Sequence, residues 1–142
     1  PALAQQAAWP NKPVRIIVPY PAGGVGDLGT RTFAQRLSAR IGQTVTIDNI
    51  PGGTQIVGMQ ALIKAPADGH TLILASPTSL VLNPALRTSL PYAPEKLAMV
   101  SKLFTSPLYV IASNKLPANN MKELVAYAKA NPNAVNYAST GE

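Results

Sequence analysis

The sequence predicts an α/β fold whose first half is a parallel βαβαβ unit. Three observations carry this. Short apolar, β-branched segments at residues 14–18, 44–48 and 71–75 alternate with two segments of helical periodicity. Turns rich in glycine and proline punctuate the junctions. The distance from each strand to the next leaves room for a crossover helix, and such crossovers are right-handed and make neighbouring strands parallel. Composition agrees: 46% of the 142 residues are hydrophobic and 13% charged, against roughly 25% charged in an average globular domain. A chain of this length can bury a core of its own.

Val14, Ile16, Ile17 and Val18 make the first strand apolar on both faces, broken only by Arg15. Pro19 ends its ladder, because proline has no N–H to donate. A helix is expected over residues 27–41, with Phe33, Ala34, Leu37 and Ile41 on one face, Asp27 as N-cap and Gly42 as its stop. Residues 44–48 form the second strand and Pro51-Gly52-Gly53 a turn. A second helix over residues 55–65 carries Ile56, Met59 and Ile63 on one side and ends before Pro66. The Asp68-Gly69 turn leads into a buried third strand at 71–75 and places His70 on an exposed loop.

Beyond the third strand the pattern changes. Pro77, Pro84, Pro91, Pro94 and Pro107 punctuate a stretch with one short helix near residues 80–86, and two strands are expected near 99–104 and 108–113. Asn119 or Asn120 caps a helix in which Met121, Leu124, Val125 and Ala128 share a face. A short strand at 135–137 and the turn Ala138-Ser139-Thr140-Gly141 follow.

The net charge is +6, from twelve Lys and Arg against six Asp and Glu, but the basic residues are scattered and only 6% of residues are aromatic. A nucleic-acid surface concentrates its charge in a patch, so no nucleic-acid partner is expected, and the charge reads as a mild attraction for small anions. Without cysteine there is no disulfide or thiolate metal site, and His70 has no partners at metal-ligand spacing. The same single histidine excludes a Ser-His-Asp set, and Asp27, Asp48, Asp68 and Glu95 show no pairing for acid–base work. No enzyme is expected. Ala2-Leu3-Ala4 has the small-x-small form of a signal-peptide cleavage site, so export with cleavage after Ala4 is expected.

The segment from Val14 to Asp27 runs from a buried strand through Pro19-Tyr20-Pro21-Ala22-Gly23-Gly24 into a helix. Such a turn gathers backbone N–H groups at a helix N-terminus, where the dipole favours an anion. Two readings follow. In the first, Ala22, Gly23 and Gly24 offer N–H groups to a small anion, and Asp27 either caps the helix or holds a water, amine or hydroxyl of the ligand. In the second, Gly24, Gly26 and Gly29 form G-x-G-x-x-G and Asp48 ends the next strand, close to a dinucleotide-binding fingerprint of an NAD-type oxidoreductase. Against the second stand the stiff Pro19–Pro21 linker and the negative charge of Asp27 in the middle of the site.

Trp9-Pro10-Asn11-Lys12-Pro13, Pro19-Tyr20-Pro21-Ala22-Gly23-Gly24 with Asp27, Asn49-Ile50-Pro51-Gly52-Gly53, Lys64-Ala65-Pro66-Ala67-Asp68-Gly69, Leu82-Asn83-Pro84, Leu90-Pro91-Tyr92 and Asn136-Tyr137-Ala138-Ser139-Thr140-Gly141 occur in this order. Together they resemble the Bug family of periplasmic solute receptors, the extracytoplasmic binding proteins of tripartite tricarboxylate transporters. The resemblance implies a type II periplasmic-binding-protein-like fold with two lobes: residues 1–8 a signal remnant and tail, 9–103 the N-terminal part of lobe one, 104–142 an incomplete start of lobe two. It implies a ligand gripped by Tyr20, Ala22, Gly23, Gly24 and Asp27 on one loop and by Ala138, Ser139 and Gly141 on another, with Ser76, Thr78 and Ser79 near its distal end or capping the next short helix. The ligand would be a small carboxylate (a dicarboxylate, tricarboxylate, amino acid or aromatic acid), the partners the membrane subunits of the transporter, the location periplasmic, with no cofactor. Thr54-Gln55-Ile56 stand where the family has a glycine-rich continuation, Ile50 where arginine is common and His70 where an aromatic is common. Members of the family continue well past this length, so Met121, Leu124 and Val125 are expected to lack their usual cover.

Overall fold

Val14–Val18 forms β1, the central strand of a three-stranded parallel sheet of order β2-β1-β3, with β2 at Val45–Asn49 and β3 at Thr71–Ile73. Val14 pairs with Val45 and Val18 with Asn49 on one side, and Arg15 pairs with Thr71 on the other. The structure, a computed structural model, describes residues 9–107 and 109–138. The crossovers are α1 at Val25–Ile41 and α2 at Ile56–Ile63. Val14, Ile16, Ile17 and Val18 are all buried. Because side chains alternate along a strand, both faces of β1 are covered, and each such side chain contributes about 2 kcal/mol of burial. Ala34 of α1, Met59 of α2 and Tyr92 complete this core.

The boundaries differ from the expected ones in instructive ways. Helix α1 starts at Val25 with Gly24 as N-cap, not Asp27, because Asp27 one turn in reaches back to Gly23 N–H. Its buried stripe is Asp27, Thr30 and Ala34, while Phe33 is 37% exposed. Gly42 stops the helix as expected, at φ 68 with its N–H on Ser38 O. In α2, Met59 is buried but Ile63 is exposed, and β3 is short and half-buried, as suits an edge strand. A π-helical turn, Thr78–Leu82, runs directly into α3 at Asn83–Leu86, where one short helix was expected.

His70 is not exposed: it is 7% accessible, packed against the Trp9 indole with ring centroids 5.8 Å apart. Its Nδ1 lies 3.1 Å from Asp68 O, and Nε2 has no partner among the described residues. The left-handed Gly69 (φ 80) folds the chain so that this ring turns under Trp9, a contact no local signal announces.

The chain divides into two compact units, residues 1–104 and 105–142. In the second, α4 at Met121–Ala130 is capped by Asn120, whose Oδ1 accepts from Glu123 N at 3.0 Å. Glu123 answers by accepting from Asn119 N and Asn120 Nδ2, both at 2.8 Å, which is capping-box logic. No residue of α4 is buried, and Met121 and Val125 are exposed. The strands expected near 99–104, 108–113 and 135–137 are not formed among the described residues. A strand exists only as one side of a ladder, and these β-prone segments have no ladder partner here. No helix among the described residues is long and apolar enough to cross a membrane.

Candidate functional site

The loops after the three parallel strands converge at the carboxyl ends of the sheet, the usual ligand crevice of an open α/β sheet. After β1, Pro19 stops the ladder and residues 21–24 lie exposed. Gly23 adopts φ 87, a left-handed conformation a side chain resists. The turn it makes sets Ala22 and Gly24 N–H groups at the start of the 17-residue α1, and neither donates to another described residue. Gly23 N–H is already committed, to Asp27 Oδ2 at 2.8 Å.

Asp27 is the brace of this loop. Its buried carboxylate also accepts from Arg31 Nε at 3.0 Å and from Asn49 Nδ2 at 2.9 Å, and Asn49 Nδ2 in turn reaches Tyr20 O at 3.1 Å. Thus the β1–α1 loop, α1 and the end of β2 are tied together through one carboxylate. The Arg31 guanidinium, with Gly23 N–H and Asn49, holds the Asp27 carboxyl down at about 2 against its ordinary 3.8. Asp68 is lowered in the same way to about 2, chiefly by Lys12 at 2.7 Å.

A pH dependence follows. A carboxyl whose value is depressed on folding stabilises the native state above its unfolded value, and that contribution is lost as pH falls through the folded one. The thermal midpoint should therefore be level above about pH 5 and fall between about pH 4 and 2. Asp27→Asn should remove part of that fall, measured by circular dichroism melts across the range; an unaltered acid limb would contradict the brace.

The second and third loops add polar groups. Gln55, buried at the N-terminal end of α2, donates to Tyr20 Oη at 2.8 Å and to Ser76 Oγ at 2.7 Å. Ser76 Oγ accepts from Thr78 N, and Ser79 Oγ donates to Ser76 O. Thr78 and Ser79 are buried in this turn, while Ser76 is half-buried and shared with Gln55. A neighbouring network joins Thr54, Asn83, Arg87 and Tyr92: Asn83 Nδ2 donates to Thr54 O at 2.8 Å, Arg87 Nη2 to Thr54 Oγ1 at 2.8 Å, and Tyr92 Oη to Ser79 O at 2.7 Å.

Of the expected ligand residues, the structure therefore gathers Tyr20, Ala22, Gly23, Gly24, Asp27 and Ser76, with Thr78 and Ser79 turned inward behind Ser76. Ala138 is exposed in the second unit, and Ser139 and Gly141 lie outside the described residues. Asn49, Arg31 and Gln55 were not expected to serve the site, although Gln55 lies in Thr54-Gln55-Ile56, which departs from the family's glycine-rich run. The i, i+4 spacing of Asp27 and Arg31 is a readable signal, and Asn49 closes a strand.

The glycines of the dinucleotide pattern do other work. A Cβ at Gly26 would lie 3.0 Å from the Tyr20 ring and 3.2 Å from Leu74, and one at Gly29 2.9 Å from the Phe104 ring. Both are packing glycines, and of the three only Gly24 has room for a side chain, with Pro21 O at 3.8 Å. Asp48, the expected ribose acid, is paired with Arg15. An open groove of about 360 Å³ is lined by Gly29, Thr32, Phe33, Arg36, Leu103 and Phe104. It is mostly apolar with one cation, and lacks the convergent polar groups of a binding site.

A parallel sheet whose strand-end loop presents exposed backbone N–H groups is an arrangement that many ligand-binding α/β folds share, periplasmic binding proteins among them. The solved structures agree. The structure described as R. palustris Rpa4515 with adipate superposes with TM-score 0.68 at 30% identity over 87% of this chain and 42% of that one. The periplasmic binding protein BugD superposes with TM-score 0.65 at 27% identity, covering 87% and 41%. Residues 30–142 match the TctC family, tripartite tricarboxylate transporter family receptors. Among sequence relatives, a UPF0065 protein of Bordetella pertussis is 37% identical over 97% of this chain and 43% of its own length, and protein BugT of the same organism is 36% identical over 92% and 40%. The chain belongs to the TctC family of tripartite tricarboxylate transporter receptors, the Bug proteins among them. It spans about two fifths of the length of the curated relatives it matches. None of the comparisons supports the NAD-type alternative.

Proposed function

We propose that the protein is a periplasmic receptor that binds a small organic carboxylate and delivers it to the membrane subunits of a tripartite tricarboxylate transporter, without catalysis. The observation that carries this is the β1–α1 loop: Ala22 and Gly24 N–H groups, exposed and without protein acceptors among the described residues, stand at the N-terminus of α1. A carboxylate there gains two charge-assisted hydrogen bonds and the helix dipole. Asp27, whose carboxylate is met by three protein donors, holds the loop in shape. The Tyr20 hydroxyl serves the remainder of the ligand, and Ser76, its hydroxyl held by Gln55 and Thr78, lines that end with Thr78 and Ser79 behind it. Ala138, Ser139 and Gly141 belong to the same proposal as further contacts, and residues 9–103 and 104–142 are assigned to the first lobe and the start of the second. Membership of the receptor family and a relative solved with adipate support the ligand class.

The test is calorimetry on the intact receptor with mono-, di- and tricarboxylates, amino acids, aromatic acids and NAD(H). Saturable heat is expected with at least one carboxylate and none with NAD(H). Silence across the carboxylates, or saturable NAD(H) binding, would overturn the proposal.

A further inference from the structure

Residues 52–55 form a run of positive φ: Gly52 at 125, Gly53 at 54, Thr54 at 51 and Gln55 at 73. The first two are glycines and adopt it freely; Thr54 and Gln55 sit where an L side chain rarely does. A backbone suited to glycine carries at position 55 a long amide instead, and that side chain is 6% exposed at the strand-end crevice. It is held from two sides, by Tyr20 of the first loop and Ser76 of the third, and Ser76 Oγ returns a hydrogen bond to Gln55 Oε1 at 3.0 Å. The direction of these bonds matters. Because Gln55 donates to Tyr20 Oη, the phenol keeps its own hydrogen, which no described residue accepts.

We infer that Gln55 is a specificity-determining residue that limits the length of the acid this site accepts, its side chain closing the inner end of the crevice between Tyr20 and Ser76 and leaving the Tyr20 hydroxyl to donate to the ligand. The inference rests on the receptor reading above. A glycine at 55 would relax the left-handed backbone and open a gap as deep as the lost side chain. A glutamate would keep the shape but accept the Tyr20 hydrogen, taking that donor away from an anion and adding a like charge.

The experiment titrates the intact receptor and its Gln55→Gly and Gln55→Glu variants with succinate and with adipate by calorimetry, alongside thermal melts. Gln55→Gly, with an unchanged or higher midpoint, should shift the affinity ratio towards adipate by at least about tenfold, since even one methylene is worth that much in a shaped pocket. Gln55→Glu should weaken both acids by about tenfold and leave their ratio alone. A wild type that binds neither acid overturns the length limit, as does a folded Gln55→Gly with an unshifted ratio. The receptor reading itself fails if every carboxylate of the wider panel is silent or if NAD(H) binds saturably, so the two failures are distinguishable.

Discussion

Gly24→Val is expected to lower carboxylate affinity at least tenfold, about 1.4 kcal/mol, with no change in fold. Gly24 has φ −76 and ψ 170, a conformation open to any L residue, and an added Cβ would meet nothing closer than Pro21 O at 3.8 Å. The valine is thus accepted by the protein, and its methyl groups stand beside the N–H that the ligand must reach. Gly23 would be a poor choice for the same test, since its φ of 87 makes any side chain a strain on the loop itself. Calorimetry on the intact receptor reads the affinity and a melt reads the fold. An unchanged dissociation constant would show that ligand does not approach the backbone there.

Gly58→Ala should destabilise the protein by about 1–2 kcal/mol, measured by urea unfolding. Helix propensity alone argues the other way, because alanine in a helix interior gains about 1 kcal/mol over glycine. Sterics win. The new Cβ would stand 2.9 Å from Pro19 Cβ and 3.2 Å from Ile50 O, a closed ring and a backbone carbonyl, neither of which can swing aside. Helix α2 would have to lift from the ends of β1 and β2, carrying Gln55 at its start away from Tyr20 and Ser76. Weaker ligand binding should therefore accompany the lost stability. A neutral or stabilising Gly58→Ala would mean that α2 can shift without cost.

Much of the fold was legible because its signals are local. Pro19 ends β1 by lacking an N–H, Gly42 stops α1 by adopting φ 68, and Asn120 caps α4 through its own side chain. Each acts within a few residues, so composition and spacing reveal it. The strand-end loop was legible for the same reason, as glycine and proline between a strand and a helix. Elements that need a distant partner were read wrongly. The segments near 99–104 and 135–137 have strand composition but no ladder among the described residues, and His70 looked exposed until Trp9 was seen against it.

The sequence by itself determined the α/β class, the order of the parallel elements and the place of the glycine-rich strand-end loop, because periodicity, chain-breaking residues and crossover lengths are properties of short stretches of chain. Only the tertiary structure decided what individual residues do there. Gly26 and Gly29 resemble a phosphate-binding pair in sequence, yet the Tyr20, Leu74 and Phe104 side chains make them packing glycines. Asp27 could be read as a cap, but Asn49 from β2 and Arg31 make it a brace. Gln55 showed in sequence only as part of a departure from a glycine-rich run, since its role lies in Tyr20 and Ser76, 35 and 21 residues away along the chain. Such roles depend on which surfaces meet when the helices close on the sheet, and that is set by packing of the whole unit rather than by any stretch of sequence.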